Sequence, residues 1–174
     1  CHRQHKAVVI VGVLAYQGDP AGPAAGEAGR SGPGAAPPGL APGTSNGKVR
    51  RIATFANVLP SMDEGRTRGI FDQYKSPFTT ISAKDIRAGN LGARFDAIIL
   101  PDQRGRAIEG GPIGAYPDSL KGGVGAPGAA ALGAFVDNGG TVLAFNESSN
   151  YAIEALNLPV KNELAGIRSN DFYS

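Results

Sequence analysis

Residues 95–100 read FDAIIL and are closed by Pro101. Five of the six are apolar, and the run ends at a residue that cannot donate to a β-ladder, which is the pattern of a strand buried on both faces. Working outward, similar runs recur. Arg51–Leu59 (RIATFANVL) is a strand running into a loop, Phe78–Ile81 a short second strand, and Thr141–Phe145 (TVLAF) a further one.

Helical stretches separate these runs. Ser61 with Glu64 three residues on fits a capping box, and Asp63 and Glu64 suit the positive end of a helix dipole. That helix is predicted to run to about Tyr74, with Met62, Ile70, Phe71 and Tyr74 inward, and Pro77 stops it. Ser82 to Asp85 is a second capping box, opening a short helix through Ala88. Gly128–Asn138 is an Ala-rich helix whose Leu132, Phe135 and Val136 share a face, ended by Gly139-Gly140. Asn150–Leu156 is a last short helix, with Ser148, Ser149 and Asn150 as its capping residues. Strands alternating with helices predict a parallel sheet covered on both faces, a flavodoxin-like doubly wound α/β fold. Four strands fall from Arg51 onward, and the chain stops at Ser174 in what reads as mid-domain, so the fold is expected to be incomplete at its C-terminus.

Composition divides the chain. Gly (26) and Pro (13) exceed a fifth of the 174 residues, while charged residues make up only 18%. Most of that excess lies in residues 19–47, a stretch of Ala, Gly and Pro with few large apolar side chains to offset the entropy of ordering. Residues 1–18 are an N-terminal apolar segment, 19–47 a disordered linker, and 48–174 the α/β domain. Within the first segment, Ala7–Tyr16 (AVVIVGVLAY) follows Arg3 and Lys6, which fits either a secretory signal or a buried strand; ten residues are too few to span a bilayer as a helix. A net charge of +2 with both signs mixed along the chain gives no footprint for nucleic acid.

In open α/β sheets, ligands bind beyond the carboxyl ends of the strands. Three segments reach that edge: Asn57–Asp63, Asp102–Pro127 and Asn146–Asn150. The first is a polar helix entrance explained by capping. The second reads as a long Gly- and Pro-rich loop, in which Asp102, Gln103 and Arg104 are placed to touch a ligand or a partner domain, or to make a local ion pair. No phosphate-binding glycine motif is present. Asn146 and Glu147 stand at the strand-to-helix elbow, where a nucleophile would sit. Neither a Gly-x-Ser-x-Gly turn nor a histidine accompanies them. The two histidines, His2 and His5, lie beside Cys1 at the N-terminus, without the further ligand that a zinc site needs. No catalytic residue and no metal ligand is therefore assigned in this chain.

The run SMDEGRTRGIFDQYKSPFTTISAKDIRAGNLGARFDAIILPDQ, then GGTVLAFNESSNYAIEALNLPVKN and the terminal DFYS, resembles the C-terminal region of large bacterial zinc carboxypeptidases of the carboxypeptidase A-like type. In that group a metallopeptidase domain precedes a module similar to class I glutamine amidotransferases. The resemblance covers about Val49 to Ser174. It implies an accessory module whose partner is the upstream peptidase domain, with zinc held by that domain and no cofactor in this segment, in a secreted or periplasmic parent. Two departures accompany it. Tryptophans usual in the first helix are replaced by Arg66 and Gly69, which is expected to weaken that helix's docking. Where amidotransferases carry their nucleophilic cysteine, this chain has Asn146, so amidotransferase activity is not implied.

Overall fold

The computed structural model describes residues 7–11, 44–45, 48–111, 116–117, 122–162 and 165. The clearest strand of the sequence is β6, Ala97–Leu100, at the centre of a parallel five-stranded sheet. It pairs with β4 (Ile52–Phe55) on one side and β7 (Thr141–Phe145) on the other. Beyond β4 lies β5 (Phe78–Ile81), and beyond β7 lies β1 (Ala7–Val11), giving the order β1-β7-β6-β4-β5. The stretch left open between signal and strand thus contains a strand, in register with β7 from Ala7 opposite Thr141 to Val11 opposite Phe145. A separate antiparallel pair, β2 (Thr44–Ser45) and β3 (Lys48–Val49), precedes β4. Of the segment expected to be a disordered linker, only Thr44 and Ser45 are among the described residues, and they belong to that pair.

The helices are α1 (Met62–Gln73), α2 (Ala83–Arg87), α3 (Leu91–Arg94), α4 (Gly105–Gly110), α5 (Gly125–Asp137) and α6 (Glu147–Ala155). Register sorts the sheet's side chains into two faces. Ala53, Phe55, Ile81, Ile98, Leu100, Val142 and Ala144 join Ile86, Leu132, Phe135, Val136, Tyr151 and Ala152 in one apolar core beneath α2, α5 and α6. The alternate residues form the other face, where α1 is the covering helix among those described. Phe71 of α1 stacks on Phe78 there, with ring centroids 5.2 Å apart.

Coverage of both faces is therefore unequal, against the sequence expectation. Val142 and Ala144 are fully buried, while Thr141, Leu143 and Phe145 between them are only half-buried. The predicted inward residues of α1 are also corrected: Met62, Ile70 and Tyr74 are exposed, Met62 by 74%. The stripe that meets the sheet carries Glu64 and Phe71, and at 100° per residue Met62 lies about 160° round from Glu64. Glu64 is buried at 4% exposure, opposed by Arg68 at 3.6 Å, and its Oε1 lacks a hydrogen-bond partner. A buried carboxylate in that stripe is what a search for apolar spacing passes over. Arg66 and Gly69 are both exposed on α1, and a Cβ added at Gly69 would meet nothing within 4 Å.

The two capping boxes differ. At Ser82 both halves form: Ser82 N donates to Asp85 Oδ2 at 2.8 Å and Asp85 N donates to Ser82 Oγ at 3.4 Å. The hydroxyl and amide of Ser82 hold the Asp85 carboxyl below its usual range. At Ser61 the hydroxyl accepts from Glu64 N at 3.2 Å, but the Glu64 side chain is turned into the sheet, so the reciprocal bond is replaced by the ion pair with Arg68. A further ion pair ties the sheet's N-terminal edge, where Arg51 meets Asp96 at 2.8 Å.

Candidate functional site at the strand-to-helix elbow

β7 passes into α6 through Asn146, whose backbone sits at φ 46° and ψ −118°. Positive φ costs a residue with a Cβ, so the surroundings must over-determine this turn. They do so through Asp102, which follows β6 and stands beside the elbow. One carboxylate oxygen accepts from Asn146 Nδ2 at 2.8 Å, and the other accepts from Glu147 N at 3.0 Å. The second bond also satisfies a free amide of the first turn of α6, where negative charge is favoured.

Ser148 completes the clamp from inside. Its hydroxyl is fully buried, donates to the Pro101 carbonyl at 2.5 Å and accepts from Gln103 N at 3.0 Å. Ser149 donates to the Ala144 carbonyl at 3.1 Å. These serines are therefore not caps of a helix starting at Asn150, as the sequence suggested. α6 begins three residues earlier, and both hydroxyls lie within it, bonding back to the strands. Gln103 reaches in the other direction, its Nε2 donating to the Leu59 carbonyl at 3.0 Å. Asn57 Nδ2 donates to the Ala107 carbonyl at 2.6 Å, so loops after β4, β6 and β7 are tied into one rim.

Of the five residues singled out in sequence, Asp102, Gln103, Asn146 and Glu147 converge here. Arg104 does not; it is exposed at the N-cap of α4, and Asp102 is engaged by the elbow and makes no ion pair with it. The stretch read as one long loop from Asp102 to Pro127 contains α4 and the first turn of α5, and its residues 112–115 and 118–121 lie outside the described residues. Cys1, His2 and His5 lie outside them too. Among the described residues there is no group of three or more His, Cys, Asp or Glu placed to hold a metal ion.

Beside the elbow is a cleft of about 460 Å³, lined by Asp63, Arg66, Thr67 and Ile70 of α1 together with Asp102, Phe145 and Asn146. The α1 residues are spaced i, i+3, i+4 and i+7, a single helical stripe. That spacing was legible in the sequence; its polarity hid it. Arg66 pairs with Asp63 at 3.1 Å, and Thr67 Oγ1 donates to the Asp63 carbonyl at 2.7 Å. The cleft thus has an apolar floor of Ile70 and Phe145 and a rim whose charges are already partnered. Its chemistry is that of contact and shape. An amide stands at the elbow, and the neighbouring carboxylate is occupied as an acceptor at both oxygens.

Comparison with family models, with curated proteins and with solved structures finds no match to this chain. No helix among the described residues is long and apolar enough to cross a membrane.

Proposed function

We propose that this chain is a non-catalytic accessory module, glutamine amidotransferase-like in fold, of a zinc metallocarboxypeptidase-like protein. The observation that carries the reading is Asn146. It occupies a strained strand-to-helix elbow of the kind that presents a nucleophile, yet it bears an amide, and Asp102 holds that amide in a hydrogen bond instead of acting as a base. The strand order from β4 onward supports a flavodoxin-like class: β5, β4, β6 and β7 lie as second, first, third and fourth strands of such a sheet. In this reading the hydrolytic chemistry and its zinc belong to an upstream domain of a secreted or periplasmic parent. The described residues offer no ligand set for the metal, so no step is routed through it here. Sequencing the gene upstream tests the assignment. An in-frame His-x-x-Glu with a later His supports it, and a complete reading frame lacking both overturns it.

The cleft favours a second reading, in which the module binds a small ligand or a partner through the elbow and the 102–127 segment. A compound that raises the melting temperature of the chain, and no longer does so in Phe145→Asp, would select it.

A further inference from the structure

We infer that the cleft beside the elbow takes an organic cation, with an apolar body lying on Ile70 and Phe145 and an ammonium head against Asp102 and the side-chain oxygen of Asn146. This assignment rests on the small-ligand reading of the cleft and supplies the chemical class of the ligand. The charged side chains that line the cleft are Asp63, Arg66 and Asp102. Arg66 pairs with Asp63 at 3.1 Å, so those two cancel. One negative charge is left, and it belongs to Asp102.

Asp102 is hydrogen-bonded without being neutralised. Its oxygens accept from the Asn146 amide and from Glu147 N, and both donors are uncharged. A carboxylate offers about four lone-pair sites, so each oxygen keeps room for another donor. The N-terminus of α6 supplies about half a positive charge, but the exposed Glu147 in its first turn already answers it. Among the described residues no cation pairs with Asp102: Arg51 is held by Asp96, Arg66 by Asp63 and Arg68 by Glu64.

The other polar groups of the cleft agree. Thr67 gives its one hydroxyl hydrogen to the Asp63 carbonyl, so toward a ligand it can only accept. Asn146 turns its nitrogen to Asp102, and among the described residues its Oδ1 has no donor. These groups call for N–H donors and, at Asp102, for a positive charge; an ammonium brings both. The floor sets the rest of the molecule. Ile70 is 57% exposed and Phe145 half-buried, so an apolar body laid on them removes surface from water. The Phe145 ring also favours a cation over its face. A volume of about 460 Å³ falls within the range of small-molecule sites. A carboxylate ligand would be repelled by Asp102, and a neutral one would leave its charge uncompensated.

The test is a titration of the full chain at neutral pH and low salt with three probes of one skeleton: phenylbutylammonium, phenylbutanol and phenylbutyrate. Backbone and side-chain amide resonances report affinity and place. The ammonium should bind about tenfold more tightly than the alcohol, shift the amides of Thr67, Ile70 and Asn146, and lose that advantage at high salt and in Asp102→Asn. Ile70→Ser, at an exposed helix position, should weaken all three probes and leave their ranking unchanged, which keeps the test open should Asp102→Asn fail to fold. An alcohol that binds as tightly as the ammonium at the same amides overturns the inference and leaves the small-ligand reading standing. A carboxylate that binds most tightly overturns it and gives the head group to Arg66. An ammonium preference that survives Asp102→Asn overturns it too. No shift at these amides with any probe overturns both the inference and the small-ligand reading.

Discussion

Ile98 and Val142 point into the α5 side of the sheet and are fully buried, whereas Leu143, the next residue along β7, points to the α1 side and is only half-buried. The two faces also differ in what they bury. Under α5 and α6 the filling is Ile, Leu, Val and Phe drawn from β4, β5, β6, β7, α2, α3, α4 and α5. Under α1 it includes the Thr54 hydroxyl and the Glu64 carboxylate, each with a buried oxygen that lacks a hydrogen-bond partner. Burial of apolar surface contributes about 25 cal/mol per Å², while an unpartnered polar group offsets part of that gain. The α5 face therefore carries most of the stability, and the α1 face, which also holds the cleft, is where the molecule has contact surface to spare.

The largest expected effects test that division. Ile98→Ala should cost about 3 kcal/mol, because it opens a cavity among close-packed neighbours. Leu143→Ala should cost about 1 to 2 kcal/mol, since Leu143 is only half-buried and its truncation leaves less of a closed cavity. Urea midpoints at constant slope measure both. Equal losses would erase the distinction between the faces.

The elbow comes next. Asp102→Ala removes an acceptor from Asn146 and from Glu147 N, and should lower stability by about 2 kcal/mol, as hydrogen bonds to a charged group generally do. Asp102→Asn keeps one acceptor and should lose about half as much. If Asp102→Ala leaves the unfolding midpoint unchanged, the elbow is held by other contacts, and the importance given to Asp102 falls.

How much of this was legible in the sequence follows the same division between faces. FDAIIL and TVLAF announced themselves because strands of a parallel sheet are apolar in runs, and Ser82 with Asp85 marked a helix start that both bonds bear out. The elbow position of Asn146 could be read from a strand ending before a capping-rich segment. Its partnership with Asp102 could not, because the two are brought together only by the pairing of β6 with β7. The α1 face was read correctly only at Phe71, which meets the sheet as expected; Met62, Ile70 and Tyr74 are exposed, and the sheet took Glu64 instead. The apolar N-terminal stretch stayed ambiguous because composition cannot say what a strand pairs with. Its parallel partnership with β7 is a tertiary fact.

Tyr151 offers a probe confined to the α5 face. Burial, and to a lesser extent the negative charge of Glu109, push its phenol up to about 12. A phenol that ionises near 10 in the unfolded chain and higher in the folded one favours the fold in its neutral form. That contribution is fully present below about pH 10 and is lost as pH rises toward 12. Stability should therefore fall over this window, and Tyr151→Phe should fall less. Because the hydroxyl lacks a hydrogen-bond partner, the same substitution should be close to neutral at pH 7. Parallel urea titrations from pH 9 upward check both statements. An identical alkaline loss in the variant would assign it to other groups.

The smallest expected effect lies on the outward side of α1. A Cβ added at Gly69 meets nothing within 4 Å, and the residue lies inside the helix between Met62 and Gln73. Gly69→Ala should therefore stabilise the helix by about 0.5 to 1 kcal/mol, through lost backbone entropy in the unfolded chain alone. Where that gain registers distinguishes two states of α1. This helix docks through Phe71 on Phe78 and through Glu64, and contributes nothing to the apolar core. Its local opening should accordingly cost less than global unfolding. Amide exchange within α1 should slow by a factor of about two to five, while the global urea midpoint moves by less than that gain implies. A midpoint that rises by the full amount, with exchange slowed equally in α1 and in β6, would mean that α1 unfolds only with the core, and the two faces would then be one cooperative unit despite their unequal packing.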